Sequence, residues 1–537
     1  MSLQEDCWQE SIPKETARIG QIILKEDNLY RVLGDGVDKI LTLEDFAHLY
    51  STDGRGAICP IILSLVTLFQ YVENLPDREA ASLAAVRLDW KYAMHVPVEW
   101  LGFHYSTLSN YRGRLLEHGA ERLLFEKILD WIVSEGFLKK QGKQRTDSTH
   151  VLGKVAVLSR LEMLWETLRV ALRTLEKAAP AWYESAIPAT YHEYYSVRQS
   201  DWKLNQEEVQ KETRQAGQDG YWLLDHLQES GPENVQMLLE IETLKTVLEQ
   251  TFTRSKDSGG GGGRKVRLRS AKRGECKQKV ISPHEAQARM AKKRGKGWRG
   301  YKLQVTETAE ATAFLTDVRI TDATTDDSEV LTASQDQLIA DGRVPKEHLV
   351  DQGYVSGANL AGSEKRGIQL LGLMQGDTSG KPDGFRQEDF IIDWEQEVVH
   401  CPEGATSHLW QSRVKSNKRP GIYVRFSPSC RQCAAWGICT TSEQGRTLFL
   451  NGYHDFITTR RAEQQTADFC EKLKPRAAVE GTISMLVRKH GARHARYRGR
   501  DKVNLQAQLT GAAVNLKRLN QAMCDRRQNS HRMAITN

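Results

Sequence analysis

The sequence predicts an α/β protein built around a mixed sheet, and two alternating segments give the first evidence for it. Apolar and polar residues alternate in "YKLQVTET" (301–308) and "AFLTDVRI" (313–320), as in strands with one buried face. A helix from about Asp326 follows, and then the apolar run "HLV", which ends at Asp351. A hairpin, a helix and a strand that ends in an acid form the order expected of a mixed sheet with a site at its strand ends.

Composition is that of a soluble globular protein. The 537 residues suffice for two or more domains, 27% of them are charged, and the mean hydropathy is −0.54. The longest apolar stretch, residues 57–72, contains Pro60, Ser64 and Thr67 and predicts a buried helix that starts near Pro60. The polar start "MSLQEDCWQE" is unlike a secretory signal, so we expect a cytoplasmic protein without membrane contact. A net charge of +6 is too small to identify a partner.

The first 140 or so residues show the three- and four-residue apolar spacing of helices. Two interpretations of this region remain open. Tyr111, Arg112 and Arg114 could belong to a helix-turn-helix that contacts DNA, or the region could be a helical packing or dimerisation domain.

A second helical region, from Leu158 to about Thr253, carries no recognisable chemistry. Gly259–Gly263 follow and predict a flexible hinge, because a run of glycines neither holds a helix nor packs side chains. The basic stretch after the hinge is either a mobile polycation that follows phosphates or a solubilising linker. Its cations are Arg264, Lys265, Arg267, Arg269, Lys272, Arg273, Lys277 and Lys279.

Three acids have contexts that suit phosphoryl transfer to DNA. Asp147 lies in "RTDSTHV", where β-branched neighbours favour a strand, Asp351 lies in "LVDQGY", and Glu480 lies in "AVEGTISMLV". Two or three carboxylates suffice to hold Mg²⁺, which prefers oxygen ligands. Each acid also has an ordinary structural explanation as a turn residue, a strand-end cap or a first-turn helix acid. Spacing alone does not select these three.

A basic block follows Glu480 and suits contact with backbone phosphates, which attract Lys and Arg without regard to sequence. Its members are Arg488, Lys489, Arg493, Arg496, Arg498, Arg500 and Lys502.

Cysteines cluster between the second and third acids. Cys401 is followed by the series Cys430-x2-Cys433-x5-Cys439, which suggests a tetrahedral structural zinc site. Reduced, buried thiols are the alternative.

Several longer words in the sequence resemble bacterial insertion-sequence transposases of the DDE type. They are "FHYSTLSNYRGRL", "TDSTHV", "ISPHEAQAR" leading to "WRGYKLQVTET", "LVDQGYVSG", and "RAAVEGTISMLVRKHGARHARYRG" continuing to "KVNLQAQLTGAAVNLKRL". The resemblance extends from about Leu43 to Leu519. It implies a ribonuclease H-like core in which Asp147, Asp351 and Glu480 are the catalytic acids and bind Mg²⁺ or Mn²⁺.

The resemblance also implies partners and a reaction. A transposase of this type cleaves DNA strands at the element ends and transfers them into target DNA. The expected partners are double-stranded DNA, as terminal inverted repeats and as target, and further copies of the chain on that DNA in the nucleoid. A nuclease that cuts without joining, and a non-catalytic zinc-containing DNA-binding protein, are the alternatives.

One departure from related transposases concerns the signature Tyr-x2-Arg-x3-Glu-x6-Lys around the third acid. Arg476 occupies the Arg position and is expected to contact DNA, but Leu473 stands where Tyr would be and Val487 where Lys would be. The cation that replaces this lysine is open, with Arg488 and Lys489 as candidates.

These patterns divide the chain into a helical N-terminal domain, a core in three pieces, two insertions, a linker and a tail. The predicted boundaries are 1–140 for the N-terminal domain, 141–157, 296–375 and 451–520 for the core, 158–258 for the helical insertion, 259–295 for the basic linker, 376–450 for the cysteine-containing insertion and 521–537 for the tail.

Overall fold

The computed structural model describes residues 2–4, 6–139, 141–255, 265–269, 279–293, 295–377, 380, 383–414 and 420–536. A mixed sheet of six strands lies at its centre, so the predicted α/β class is confirmed. The strands are β1 (Lys143–Leu152), β4 (Arg289–Lys293), β5 (Lys296–Thr308), β6 (Leu315–Asp322), β7 (Glu347–Val350) and β8 (Gln369–Leu371).

The order across the sheet is β4-β5-β1-β7-β8, and β6 also pairs with β5. β1, β7 and β8 run parallel, whereas β4, β5, β6 and β1 form antiparallel pairs. The predicted hairpin is therefore β5 and β6, and the predicted helix is α15 (Asp327–Ala340). A second helix, α16 (Gly357–Lys365), connects β7 to β8.

Eight α-helices precede the sheet among the residues that the structure describes. They are α1 (Lys14–Ile23), α2 (Leu29–Gly34), α3 (Glu44–Ala47), α4 (Pro60–Glu73), α5 (Asp77–Val86), α6 (Leu88–Ala93), α7 (Ser106–Glu117) and α8 (Leu123–Ser134). Helix α4 begins at Pro60 as predicted, and its residues are buried from Pro60 to Val72. The structure contains no helix long and apolar enough to cross a membrane among the residues it describes.

The residues suggested for a helix-turn-helix face the protein interior. Tyr111 is 1% exposed and hydrogen-bonds to Ser64 (2.6 Å). Arg112 is 5% exposed and pairs with Asp77 (2.5 Å). The guanidinium of Arg114 lies over the ring of Tyr50 (4.5 Å). These contacts favour the packing interpretation of helix α7 over DNA contact.

A helical region lies between β1 and β4 in the chain and has its own buried apolar cluster. Its elements are α9 (Arg160–Ala178), α10 (Pro180–Ala186), α11 (Ala189–Tyr195), α12 (Gln206–Ser230), α13 (Glu233–Gln236), α14 (Leu239–Thr251), β2 (Phe252–Ser255) and β3 (Lys265–Leu268). The predicted glycine hinge lies outside the described residues. Part of the basic stretch after it, Lys265–Leu268, is paired with β2 instead of forming a free arm.

The cysteine-bearing region contains two small antiparallel sheets, one of β9 (Ile391–Asp393) and β10 (Val398–His400), and one of β11 (Leu409–Val414), β12 (Pro420–Arg425) and β13 (Thr447–Asn451). Four helices complete the chain: α17 (His454–Glu463), α18 (Ala467–Leu473), α19 (Val479–Lys489) and α20 (Arg500–Thr536). Helix α20 packs against α4, α8 and β6 and so joins the N-terminal helices to the sheet.

Candidate active site

Asp147 and Asp351 emerge side by side from adjacent parallel strands. Thr146 of β1 is in register with Val350 of β7, and each acid is the next residue in its chain. Asp147 lies within β1, whose β-branched residues fit a strand as predicted. Asp351 directly follows β7 and accepts a hydrogen bond from the backbone N–H of Gln352 (2.8 Å), which begins a short 3₁₀ turn. Strand pairing therefore fixes these two carboxylates as neighbours.

Glu480 lies in the first turn of α19 and connects to Asp147 through Arg476. The guanidinium of Arg476 is 3.0 Å from Glu480 Oε1 and 3.9 Å from Asp147 Oδ2. The Glu480 side chain is 65% exposed and is turned towards this arginine. Among the residues described, no three His, Cys, Asp or Glu side chains are arranged to hold a metal ion. The structure thus brings two acids together and holds the third nearby by an ion pair.

The surroundings of Asp147 raise the pKa of its carboxyl. Burial raises the pKa of Asp147, and the nearby charge of Asp351 raises it further. The N–H of Ser148, which donates to Asp147 Oδ1 (2.7 Å), and the charges of Arg476 and Lys293 lower this pKa but do not reverse the shift. A cation bound between the two carboxylates would relieve this penalty, and paired carboxylate oxygens fit a hard divalent ion.

A polar network that sequence analysis missed supports the two aspartates. The hydroxyl of Tyr354, three residues after Asp351, donates to Gln304 Oε1 (2.5 Å). Burial raises the pKa of Tyr354 well above its ordinary value and keeps it a donor. Asp327 accepts from the hydroxyl of Ser148 (3.2 Å) and from Lys302 (3.1 Å). Ser148, next to Asp147, and Tyr354, three residues after Asp351, are therefore both held in place.

A buried carboxylate, Glu307 of β5, links the strand of the first acid to the helix of the third. Glu307 is 0% exposed and accepts from Arg145 (2.7 Å), Arg518 (3.0 Å) and the hydroxyl of Thr482 (2.7 Å). Arg145 lies two residues before Asp147 and also donates to the carbonyl of Pro475 (2.9 Å). The sequence contains one signal of this buried carboxylate, because Glu307 occupies a position of the alternating segment 301–308 where an apolar residue is expected.

The basic block divides into anchored and exposed members. Arg493 donates to the carbonyl of His150 (2.6 Å), and Arg496 donates to the carbonyl of Leu75 (2.9 Å). Arg500 lies 3.6 Å from Asp322. The remaining members, Arg488, Lys489, Arg498 and Lys502, are exposed. DNA contact by the basic block stays a prediction. Its exposed side chains are the members best suited to such contact.

The four clustered cysteines line one cavity of about 280 Å³ beneath the small sheets. The backbone N–H of Ala405 donates to Cys401 Sγ (3.2 Å), and that of Ala435 donates to Cys433 Sγ (3.4 Å). Burial raises the pKa of Cys439, and the other three sulfur atoms act in the same direction.

Family comparisons identify the class of protein. Residues 400–520 match the model described as "Transposase DDE domain", and residues 18–114 match the model described as "Transposase domain (DUF772)". No curated protein matches the chain. The chain is a DDE transposase, an enzyme that cleaves and transfers DNA strands.

Within that class it is a transposase of the insertion-sequence type, and its function is DNA transposition. The DDE match implies a ribonuclease H-like core, which agrees with the mixed sheet. Members of this class generally use a divalent metal ion. The first match includes Glu480 and the four clustered cysteines, whereas Asp147 and Asp351 lie outside both matches.

Replacing Asp147 with Asn should raise the melting temperature at pH 7. Because burial raises the pKa of Asp147, its ionised form costs folding free energy at neutral pH, and Asn removes that charge. The gain should shrink as the pH falls through the raised pKa, where the wild-type carboxyl becomes protonated. Thermal melts without divalent ions at several pH values measure this. A lower melting temperature for Asp147→Asn at pH 7 would mean that attraction to Arg476 outweighs burial.

Proposed function

We propose that Asp147, Asp351 and Glu480 are the catalytic acids and together bind Mg²⁺ or Mn²⁺. The observation that carries this proposal is the register of β1 and β7, which sets Asp147 beside Asp351. The ion pairs of Arg476 with Asp147 and Glu480 support the third assignment. When bound, the divalent ions would activate the attacking oxygen and stabilise the leaving oxygen.

The proposed reaction has two steps. Water attacks the phosphorus at the element end, the P–O3′ bond breaks, and a 3′-hydroxyl remains on the element. That hydroxyl then attacks a phosphodiester of target DNA, so that a new P–O bond forms and a target 3′-hydroxyl leaves. The second step breaks one phosphodiester bond and forms another, so it needs no external energy source.

The residues around the acids have separate roles in this proposal. Arg476 offsets the negative charge of Asp147 and Glu480 when no metal ion is bound, and it would contact a DNA phosphate when the acids hold metal ions. The exposed members of the basic block contact phosphates farther from the reacting bond. The DNA partners are terminal inverted repeats and target DNA, and copies of the chain pair the two ends in the nucleoid.

Labelled DNA carrying the sequences that flank the gene tests this function. We expect Mg²⁺-dependent strand cleavage at the element ends and joined products when target DNA is added. Cleavage without joined products would favour the nuclease alternative. DNA binding with neither product would contradict the catalytic proposal.

We further propose that Cys401, Cys430, Cys433 and Cys439 bind one structural Zn²⁺. They line a common cavity, and backbone N–H groups already donate to two of the sulfur atoms, as suits thiolates. Zn²⁺ would displace the thiol protons that burial otherwise retains. The small sheets in this region have a modest buried cluster, so a metal ion would add stability there.

Metal analysis of the purified protein should find about one zinc per chain, as a closed four-cysteine site requires. The double variant Cys430→Ser/Cys433→Ser should lose it, whereas Cys470→Ser, at an exposed cysteine outside the cluster, should retain it. The proposed zinc site would be refuted if the double variant kept the wild-type zinc content. It would also be refuted if wild type prepared with zinc contained none.

A further inference from the structure

A basic hairpin extends from the central sheet close to the candidate active site. It consists of β4 and residues Lys296–Arg299 of β5. β1 pairs with β5 only from Gly300 to Thr308, and β6 pairs with β5 only from Tyr301 onwards. Within the described part of the chain, the strand pairing of Lys296–Arg299 is with β4 alone, although the carbonyl of Arg299 also accepts from the N–H of Gly153 (2.9 Å). The hairpin thus continues beyond the last β1–β5 pair, Leu152 with Gly300.

The lysines of this hairpin are exposed and repel one another. Lys292, Lys293 and Lys296 are all exposed, and none of them forms an ion pair with the residues that the structure describes. Lys293 lies directly opposite Lys296 in the strand pair. Like charges in opposite positions of a strand pair are destabilising, so this arrangement costs stability when nothing anionic is bound. This repulsion between lysines indicates a surface that binds an anion.

A groove leads from the hairpin to the residues beside Asp147. It has a volume of about 680 Å³, and four lysines from three segments line it together with Trp298 and two acids, Asp326 and Asp327. The lysines are Lys279, Lys292, Lys293 and Lys302. At its inner end Lys302 contacts Asp327, which in turn accepts from Ser148 next to Asp147. The charge of Lys293 also lowers the pKa of Asp147 against the effect of burial. The groove is therefore linked to Asp147 through Asp327 and Ser148.

The hairpin has a fixed position relative to β1. The ring of Trp298 packs against the ring of His150, with centroids 5.3 Å apart, and its indole N–H donates to the carbonyl of Tyr301 (3.3 Å). Arg493 holds the same His150 from the other side through its carbonyl. Burial and the charges of Arg493 and Lys293 lower the pKa of His150 and keep it neutral. These contacts fix the base of the hairpin beside β1.

We propose that this hairpin and its groove bind the phosphate backbone of the DNA whose strand enters the active site. The inference rests on the proposed function, because it describes the path by which DNA reaches the catalytic acids. Lysines are point charges suited to phosphates, and no base-reading side chain is needed for this role. The surface thus holds DNA irrespective of its sequence and contributes a large part of the salt dependence of binding.

The test compares two triple variants by fluorescence anisotropy with labelled duplex DNA over a range of salt concentrations. One is Lys292→Ala/Lys293→Ala/Lys296→Ala. The matched control, Lys14→Ala/Lys177→Ala/Lys245→Ala, removes the same charge from exposed positions on α1, α9 and α14.

We expect the hairpin variant to bind at least about tenfold more weakly and to reduce the salt slope of log K by about 2–3, at roughly 0.9 per lost phosphate contact. The loss should be equal for element-end and unrelated DNA. Its melting temperature should equal or exceed that of wild type, because the Lys293–Lys296 repulsion is gone, so weaker binding would not reflect misfolding.

Equal salt slopes for the two variants would overturn the inference, and so would a loss confined to element-end DNA. This result is distinguishable from failure of the proposed function. If wild type cleaves DNA and the hairpin variant keeps the wild-type salt slope, only the proposal about the hairpin is refuted. A reduced slope with no cleavage by wild type would support the DNA surface and refute the catalytic proposal.

Discussion

Replacing Asp351 with Asn should reduce Mg²⁺-dependent cleavage of element ends by about a thousandfold or more and leave DNA affinity nearly unchanged. Metal-ion catalysis supplies several kcal/mol of transition-state stabilisation, and each 1.36 kcal/mol corresponds to about a factor of ten. Asn keeps the shape of the side chain and can still accept from the Gln352 N–H, so the 3₁₀ turn after β7 should persist. Single-turnover cleavage and anisotropy with the same DNA measure the two effects.

Asp53→Asn is the matched control for Asp351→Asn, because Asp53 is an exposed aspartate in the N-terminal region. It should cleave at the wild-type rate. Cleavage by Asp351→Asn within about tenfold of wild type would remove Asp351 from the catalytic acids, since a lost metal ligand has a far larger effect. Loss of binding together with cleavage would instead favour a DNA-binding role.

Replacing Glu307 with Ala should destabilise the fold by about 3–5 kcal/mol, the usual result of removing one partner from a buried ion pair. Arg145 and Arg518 would be left as unpaired charges, because both contact this fully buried carboxylate. Glu307→Gln keeps an acceptor for Thr482 and should cost less. Urea unfolding followed by circular dichroism measures the change. Glu364→Gln, at an exposed glutamate on α16, is the control.

Glu307→Gln should also slow cleavage under conditions in which the variant stays folded. Thr482 lies two residues after Glu480, and Arg145 lies two residues before Asp147, so Glu307 sets the distance between the first and third acids. A positioning residue of this kind should lower the cleavage rate without weakening DNA binding. A stability loss with an unchanged single-turnover rate would limit Glu307 to a structural role.

Local patterns predicted much of the sheet but not the contacts between distant segments. β5, β6 and α15 follow from alternation and spacing in one stretch of chain. Asp147 and Asp351 were selected through resemblance, because their adjacency arises from the pairing of β1 with β7, about two hundred residues apart in sequence.

The basic block illustrates the same limit. Its composition predicts phosphate contact for every member, yet Arg493 donates to the carbonyl of His150, 343 residues away. Side-chain anchoring of this kind depends on tertiary structure and leaves no local pattern. The hairpin lysines were missed for a related reason, since an exposed basic segment gains meaning only when its neighbours are known.

The long C-terminal helix has a consequence for protein synthesis. Leu505, Leu509, Leu516 and Leu519 of α20 are buried in the main core, and Arg518 reaches Glu307 in the middle of the sheet. β1, with the first acid, leaves the ribosome long before this helix does. The central core therefore closes only after α20 has left the ribosome, so a nascent chain that has not yet released this helix has no assembled site with which to cut DNA. A premature stop before Arg518 should yield an inactive product.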